Sequence, residues 1–470
     1  MMSESNYKKR VCLINPPWSV RKGSIWAYVR STMPPLGVLV VAAVLEENGF
    51  DVTVVDFQSM AVDFDQIEEI IADWDFDVCG ITATTSIANS GYQVCDLIKK
   101  HHPETMVVFG GVHATAAPDE AVTHTSIDYV VRGEGEFIML RLLQGEDPKN
   151  IDGLTFRGAD GEINRIGKDG FVENLDILPM PAYHKINFKS YKPAVGGYRR
   201  TPAINMTTTR GCPGRCTFCN SAAITLRKRS AEKIVDEIEV LTTKYGMKEI
   251  SFYDDTFTVY PRNVIRMCEL LVEKGIDITW SAFARTDTVS PKLLAAMKKA
   301  GCHQLMYGIE SKNTEILKNI KKDIAEGKTS DALRITREAG IATRCTFMLG
   351  NPGETEATMD QTIEYAIELD PDIALFNITV PYPGTEMFVW AKENGYLLSE
   401  DWDDYDLSQP VMSLPTISND VIAEKYREGF RRFYYRPKSI LRMARRMLDP
   451  TQIVGMVSGF FSMVRFAFGR

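Results

Sequence analysis

The sequence lacks the marks of a secreted, membrane-spanning or nucleic-acid-binding protein. It begins MMSESNYKKR, without an apolar leader, so we expect no secretory signal. The apolar run IVGMVSGFFSMVRFAF near its end is short for a membrane span and is interrupted by Arg465. A net charge of -8 gives no reason to expect nucleic acid as a partner. We therefore expect a cytoplasmic protein without a transmembrane segment.

Disulfide-framework and dinucleotide-binding signals are missing as well. The nine cysteines, an odd number scattered over 470 residues, argue against a disulfide framework and for a reducing compartment. No G-x-G-x-x-G follows the first predicted strand, so a dinucleotide is not the favoured ligand. What is present is the composition of a globular protein, 44% apolar and 25% charged. The length predicts two or three domains.

Residues 1–148 have the pattern of a doubly wound, Rossmann-like α/β domain. Five short β-branched runs alternate with helical patterns between residues 10 and 145. This alternation predicts parallel strands with helices on both faces. The loops after the strands are rich in Gly, Pro and Thr, and sheets of this kind bind ligands outside the carboxyl ends of their strands. We expect the ligand of this domain at that edge.

The rest of the chain divides into three further parts. Residues 149–200 read as a turn-rich linker with one hairpin. In residues 201–395 six strand–helix units predict a partial (βα)6 barrel, with its chemistry at the C-terminal ends of the strands. Residues 396–470 read as a helical C-terminal region. Its basic, aromatic stretch 425–447 favours packing onto the barrel, with contact to an anionic membrane surface as the alternative.

Three cysteines stand close together in TTTRGCPGRCTFCNSA, directly after the first barrel strand: Cys212, Cys216 and Cys219. A structural zinc site normally has four ligands, and no second C-x-x-C pair is present. A redox disulfide would need only two of the thiols. Three inert buried thiols would fit poorly with a loop that contains Pro213 and Gly214. A cubane iron–sulfur cluster with one open iron fits this spacing best.

This C-x-x-x-C-x-x-C spacing resembles the signature of the radical S-adenosylmethionine (SAM) enzymes. The resemblance implies a 4Fe-4S cluster on the three cysteines, with its open iron chelating the amino and carboxylate groups of SAM. It also implies reductive cleavage of SAM to a 5′-deoxyadenosyl radical. FYDDTF is similar to the family segment that meets the SAM amino group, which makes Asp254 and Asp255 the candidates.

Further segments resemble the same family. FART and GIES are similar to its third- and fourth-strand segments and FMLGNPGET to its fifth. The resemblance implies contacts of Arg285, Glu310 and Ser311 with the SAM ribose and methionine. The alternative for Arg285 and Glu310 is a structural ion pair inside the barrel. Phe218 is implied to pack against adenine, and its alternative is packing within the loop.

The N-terminal segments INPPW, GGVHAT and DYVVRGEGE, placed before such a barrel, resemble the cobalamin-binding subclass. This subclass contains the anaerobic magnesium-protoporphyrin monomethyl ester cyclase and cobalamin-dependent methyltransferases. The resemblance covers roughly residues 10–390. It implies cobalamin contacts from the loops at the strand ends, at Thr84, Gly110, Gly111, Gly133, Glu134 and His113. No D-x-H-x-x-G motif follows the first strand, so we expect cobalt without a protein histidine ligand, and for His113 a hydrogen-bonded loop position is favoured.

The predicted function is methylation of an unactivated carbon, or of phosphorus, in a small-molecule or lipid-like substrate. An oxidative cyclase with the same cofactors is the alternative. A cobalamin-binding sensor with an inactive barrel is a second alternative, against which the intact cysteine trio argues. The resemblance implies an electron donor such as flavodoxin or ferredoxin. No residue is assigned as catalytic from the sequence.

Overall fold

The computed structural model describes residues 9–18, 31–60, 62–194, 196–325 and 327–447, with side chains as far as 442. The chain divides into two compact units. The first holds residues 34–191 together with β1 and the short segment 401–404. The second holds residues 192–400 and continues from Tyr405. The apolar run 453–468 lies outside the described residues.

The first unit is a seven-stranded sheet with the order β2-β1-β3-β4-β5-β6-β7. All five predicted strands are present as parallel neighbours. The hairpin predicted in the segment 149–200 is β6–β7, and it adds two antiparallel strands to this sheet rather than standing apart from it. The strands are β1 (Arg10–Asn15), β2 (Asp51–Asp56), β3 (Val78–Thr82), β4 (Met106–Gly110), β5 (Tyr129–Val131), β6 (Leu154–Arg157) and β7 (Ile163–Arg165).

Helices cover this sheet and bury its apolar side chains. One apolar cluster joins α1 and α7 to the strands, and it includes the fully buried Ala42 and Leu45 of α1. α3 begins with a capping box between Asp63 and Gln66, which satisfies two backbone donors at its start. The helices are α1 (Leu36–Glu47), α2 (Phe57–Met60), α3 (Phe64–Ala72), α4 (Ala88–His101), α5 (Val112–Ala116), α6 (Pro118–Thr123) and α7 (Gly135–Leu143).

The second unit contains six parallel strands in sequence order, from β8 through β11, β12, β13 and β14 to β15. All six predicted strands are present, so the partial (βα)6 barrel is confirmed. The strands are β8 (Ala203–Met206), β11 (Glu249–Phe252), β12 (Thr279–Ala284), β13 (Cys302–Glu310), β14 (Ala342–Leu349) and β15 (Ile373–Ile378). A two-stranded antiparallel ladder, β9 (Thr209–Arg210) and β10 (Arg227–Lys228), follows β8.

Along β12 and β15, buried residues alternate with less buried ones. One face of these strands is therefore covered, whereas the other is left partly open. α8 and α10 begin with Ser230 and Ser290 as N-caps. The helices of this unit are α8 (Ala231–Thr243), α9 (Pro261–Glu273), α10 (Pro291–Lys299), α11 (Thr314–Asn319), α12 (Lys328–Glu338), α13 (Glu356–Leu369), α14 (Glu386–Glu393), α15 (Asn419–Tyr434) and α16 (Pro437–Met447).

The basic, aromatic stretch 425–447 packs on the second unit. α15 lies against α13 and β15, and Tyr426 and Phe433 are buried in that contact. Lys425 Nζ lies 2.7 Å from Asp360 Oδ1, and Arg436 lies 3.0 Å from Asp370. Lys425 and Arg436 of this stretch are thus paired with carboxylates of the same unit. Throughout the described part of the chain, no helix combines the length and the apolar character needed to cross a membrane.

Candidate functional site

The cysteine loop occupies residues 211–226, between the two short strands β9 and β10. Their pairing closes the base of the loop. Gly211 has a φ of +86°, and a Cβ there would lie 2.5 Å from Thr225 O, so the two ends of the loop approach each other only because this residue is glycine. The Thr217 N–H donates to Ile320 O at 3.0 Å, and Thr217 O accepts from the Met387 N–H at 2.9 Å. The loop is therefore held from three sides.

The loop brings the three cysteines together at the C-terminal edge of β8. Each thiol is partly exposed, whereas the other six cysteines are buried. Gly214 lies between two of the thiols: a Cβ there would be 3.3 Å from Cys212 Sγ and 4.0 Å from Cys216 Sγ. The Gly214 N–H also donates to Cys212 Sγ at 3.4 Å. Accessible sulfur ligands around a space that glycine keeps open fit an iron–sulfur cluster.

Electrostatics around the thiols are mixed. Burial raises the pKa of the Cys216 thiol, although the positive charges of Lys322 and Arg285 oppose this shift. Burial also raises the pKa of Cys219, to about 11. A cysteine binds metal in its thiolate form. Because Lys322 and Arg285 are positively charged, they favour the thiolate form of Cys216. Among the described residues, no three His, Cys, Asp or Glu side chains converge closely enough to hold a single metal ion.

The two neighbouring aspartates of FYDDTF are in different environments. Asp254 is buried, and its Oδ1 accepts hydrogen bonds from the backbone N–H and the hydroxyl of both Thr208 and Thr209. It fixes the turn that leads from β8 into β9. Asp255 is exposed, and its Oδ1 accepts from Ser221 Oγ of the cysteine loop at 3.0 Å. Of the two carboxylates, only that of Asp255 is open to a ligand beside the cysteines.

Arg285 and Glu310 are both ion-paired, each with a different partner and not with each other. Arg285 forms two hydrogen bonds to Asp287, at 3.0 and 2.8 Å. A Cβ on Gly214 would lie 3.5 Å from Arg285 Nη1, which places this guanidinium beside the cysteine loop. Asp287 follows Arg285 in the same turn, so the bidentate pair forms locally.

Glu310 ends β13 and pairs with Lys322. The Lys322 Nζ donates to Glu310 Oε1 at 2.6 Å, and both side chains are 8% exposed. Glu310 has a φ of +67°, and a bulge shifts the register of β13 against β14 between Gly308 and Glu310. Lys322 was missed by sequence reasoning, because nothing near it in the chain distinguishes it from the surrounding lysines.

The other two residues assigned to SAM differ in accessibility. Ser311 is buried, and its Oγ lies 3.1 Å from Thr362 Oγ1 of α13 and accepts from the Asn313 N–H at 3.2 Å. These bonds occupy the hydroxyl with α13 and the start of α11. Phe218 is partly exposed between Cys216 and Cys219. The structure thus brings Phe218 to the cysteine loop and directs Ser311 Oγ to α13.

In the first unit, the parallel strands are ordered β2-β1-β3-β4-β5, as in flavodoxin-like sheets. From β1 the chain places β2 on one side and β3 to β5 on the other, which makes β1 and β3 the topological switch point. Ligands of such sheets bind at this switch point, beyond the strand ends. Thr84 lies exposed just after β3, and Gly110 and Gly111 end β4 and lead into α5. Gly111 has a φ of +96°, and a Cβ there would lie 2.7 Å from Ala83 O. Gly111 thus packs against the chain's own backbone, whereas Thr84 is exposed at this edge of the sheet.

Gly133 and Glu134 hold the segment that follows β7. A Cβ on Gly133 would lie 2.3 Å from Gly170 O, and the Glu134 N–H donates to the same oxygen at 2.8 Å. Glu134 Oε2 accepts from the Val172 N–H, also at 2.8 Å. These contacts explain the glycine and the carboxylate through the chain's own packing.

His113 is fully buried in a hydrogen-bonded group. Its Nε2 lies 3.0 Å from Tyr92 Oη and its Nδ1 3.4 Å from Thr85 Oγ1. The Trp402 indole packs edge-on against its ring, with centroids 5.1 Å apart, and donates to Glu120 Oε1 at 2.8 Å. Although burial opposes the shift, hydrogen bonds from His113 and Trp402 lower the pKa of Glu120. Both ring nitrogens of His113 already have protein partners.

Comparison with known proteins finds a matching family model for each of the two units. The model of the Radical SAM superfamily matches residues 206–366, and that of the B12 binding domain matches residues 24–143. An uncharacterized methyltransferase of Pyrococcus horikoshii is 34% identical over 92% of this chain and 94% of its own length. The anaerobic magnesium-protoporphyrin IX monomethyl ester cyclase of Rubrivivax gelatinosus is 26% identical over 90% of this chain and 77% of its own.

A solved structure supports the fold. The cobalamin-dependent S-adenosylmethionine radical enzyme OxsB, with aqua-cobalamin and S-adenosylmethionine bound, superimposes with a TM-score of 0.76. The alignment covers 98% of this chain and 72% of that one, at 16% identity.

Fold and cysteine loop together define a radical SAM enzyme with an N-terminal cobalamin domain. The chain belongs to the cobalamin-dependent radical SAM family, which contains methyltransferases and the anaerobic cyclases. The predicted family, fold class and enzyme class are confirmed, as is the cofactor set of a 4Fe-4S cluster, SAM and cobalamin. The residues that hold these cofactors stay predictions.

Proposed function

We propose that this enzyme transfers a methyl group to an unactivated carbon, or to phosphorus, of a small-molecule or lipid-like substrate. The relative with 34% identity is named a methyltransferase, and the cyclase is less similar, at 26%. In the family the cluster and SAM supply a radical that activates the substrate, and cobalamin supplies the methyl group. An oxidative cyclase remains the second candidate, because that relative covers nearly the same part of the chain.

The observation that carries the proposal is the arrangement around the cysteine loop. Cys212, Cys216 and Cys219 are the proposed cluster ligands. Asp255 lies beside the loop with an open carboxylate and is the proposed partner of the SAM amino group. Asp254 supports the site indirectly, because it fixes the turn between β8 and β9.

The remaining SAM contacts are proposed from position and charge. Arg285 lies next to Gly214 and is oriented by Asp287, so its free Nη1 edge is the proposed partner for carboxylate or ribose oxygens. Glu310, oriented by Lys322, accepts from ribose hydroxyls in the proposed complex. Phe218 stacks on the adenine. Ser311 contributes by anchoring the start of α11.

For cobalamin we propose the edge formed by Thr84, Gly110 and Gly111 within residues 1–148, with Gly133 and Glu134 shaping its far side. In this proposal His113 is a buried supporting residue of this edge. It does not ligate cobalt, because its two ring nitrogens are hydrogen-bonded to Tyr92 and Thr85. An electron donor such as flavodoxin or ferredoxin and a cytoplasmic location complete the proposal.

One anaerobic turnover assay tests the reaction type. A methyltransferase consumes two SAM molecules per product, so deoxyadenosine and S-adenosylhomocysteine should appear together in equal amounts. A cyclase needs no methyl donor, so deoxyadenosine should accumulate while S-adenosylhomocysteine stays at background. Liquid chromatography of both nucleosides, with the triple variant C212A/C216A/C219A as the blank, decides between them.

A further inference from the structure

The inner face of the barrel encloses a cavity that none of the assignments above uses. Its volume is about 120 Å³, and strands β11 to β14 line it together with Pro193, Ala194 and Gly197 of the preceding segment. Ser251, Ser281 and Gln304 supply polar groups to its wall, whereas Phe283 and Met306 supply apolar surface. Ligand pockets combine apolar walls with a few polar groups in this way, and a volume of about 120 Å³ suits one small group of a ligand rather than a whole ligand.

The chain's own hydrogen bonds hold one wall of this cavity in place. Gln304 Nε2 donates to Gly196 O at 3.0 Å, and Ser281 Oγ donates to Gly197 O at 3.3 Å. Ser281 Oγ also lies 3.4 Å from Ser251 Oγ. These contacts fix the segment at residues 196–197 against β12 and β13, so the cavity is built into the fold.

Arg344 of β14 lines the cavity and has no counter-ion there. Among the described residues no carboxylate pairs with it, and its Nε is buried without an acceptor. A Cβ on Gly197 would lie 3.4 Å from Arg344 Nη1, so glycine leaves room beside the guanidinium. Burial lowers the pKa of Arg344, with the phenols of Tyr434 and Tyr253 opposing that shift. Arg285 and Lys322 of the same unit, by contrast, each pair with a carboxylate.

The Arg344 side chain is partly exposed, but a buried Nε without an acceptor still costs the folded protein stability. Arginine is also the side chain best suited to two-point binding of a planar or tetrahedral oxyanion. We propose that Arg344 binds an anionic group of the substrate, a carboxylate or a phosphate-type group, inside the barrel. That the anion belongs to a substrate rests on the proposed function. The binding of an anion to Arg344 can be tested without turnover.

The first test is the stability of the full-length, ligand-free protein. R344M replaces the unpaired charge with an apolar side chain of similar length, beside Met306 and Phe283. The melting temperature should rise, on the order of 2 °C or more. R262Q, which changes an exposed arginine of α9, should leave it unchanged. A clear fall for R344M would mean that Arg344 is a structural residue, and it would overturn the proposal.

The second test uses inorganic phosphate and acetate as probes, each titrated at constant ionic strength against chloride. Either probe should raise the melting temperature of the wild type and of R262Q, but not that of R344M. A rise with phosphate alone indicates a phosphate-type group, and a rise with acetate alone indicates a carboxylate. If neither probe stabilises the wild type beyond chloride, or R344M responds equally, the proposal is wrong.

A third variant separates this inference from the proposed function. The triple variant C212A/C216A/C219A should lose SAM cleavage yet keep the response to the anion probe. R344M should lose the anion response, which the triple variant keeps. A triple variant that also lost the anion response would place the anion site at the cysteine loop and would overturn the assignment to Arg344.

Discussion

Replacing Lys322 with methionine should destabilise the barrel strongly, because it leaves the Glu310 carboxylate buried without its partner. The two side chains are each 8% exposed and meet at 2.6 Å. Among the described residues, Glu310 then keeps only a longer hydrogen bond, from Thr346 Oγ1 at 3.4 Å. Removing one member of a buried ion pair typically costs about 3–5 kcal/mol. We expect K322M to lose that amount of unfolding free energy.

The local backbone makes relief of this charge difficult. Glu310 lies at a φ of +67°, at the bulged end of β13, so its side chain is directed by a fixed backbone. A Cβ on Gly308 would lie 2.5 Å from Glu310 Oε1 and 2.7 Å from Lys322 Nζ. Gly308→Ala should therefore disturb the same pair and weaken the barrel in the same direction as K322M.

The assay is urea unfolding of the cluster-free protein, combined with hydrogen exchange of peptides from β13. R334M is the matched control, since the pair Arg334–Glu338 on α12 is 57% and 62% exposed. That control should cost only about 0.3–0.5 kcal/mol. The double variant E310Q/K322M should recover part of the loss, so its cost should be smaller than the sum of the costs of the two single variants. A cost for K322M no larger than that for R334M would refute the reasoning.

Three shorter predictions concern the site and its supports. The variant C212A/C216A/C219A should lose the cluster of about four irons per chain, measured by iron analysis, whereas C268S, at a buried cysteine of α9, should keep it. D255N should weaken SAM binding in equilibrium dialysis without changing the melting temperature, whereas D254N should lower the melting temperature; the reverse pattern would exchange their roles. Burial raises the pKa of Glu354 from 4.5 to about 7, so its contribution to stability is full below pH 4.5 and is lost as the pH rises through about 7. Relative to E354Q, the wild type should lose about 3 kcal/mol over that range, and parallel stability curves for the two proteins would contradict this.

The sequence predicted the strands of both units because their signals are local. β-branched runs alternate with helical patterns, and each buried run formed a strand where expected. The cysteine loop was equally predictable, since its three thiols lie within eight residues of chain. By contrast, the hairpin β6–β7 was predicted as a hairpin, but its pairing with β5 depends on contacts that no local pattern specifies.

The different roles of neighbouring residues of one type could not be predicted from the sequence. Asp254 and Asp255 are adjacent and identical, yet only the fold shows that the first is enclosed by Thr208 and Thr209. Arg344 lies in a strand pattern like its neighbours', and its missing counter-ion becomes visible only when the charges around it are known. Burial and partners, rather than residue type, separate a supporting group from a ligand-binding one.

The separate pairing of Arg285 and Glu310 also bears on the site's chemistry. If the two were paired with each other, binding a ligand through either would first require breaking that contact. Instead Asp287 orients Arg285 and Lys322 orients Glu310, so each keeps its conformation when a ligand arrives. Side chains held in place before binding lose less conformational entropy on binding. The separate pairing therefore favours a site in which the guanidinium and the carboxylate contact a ligand independently of each other.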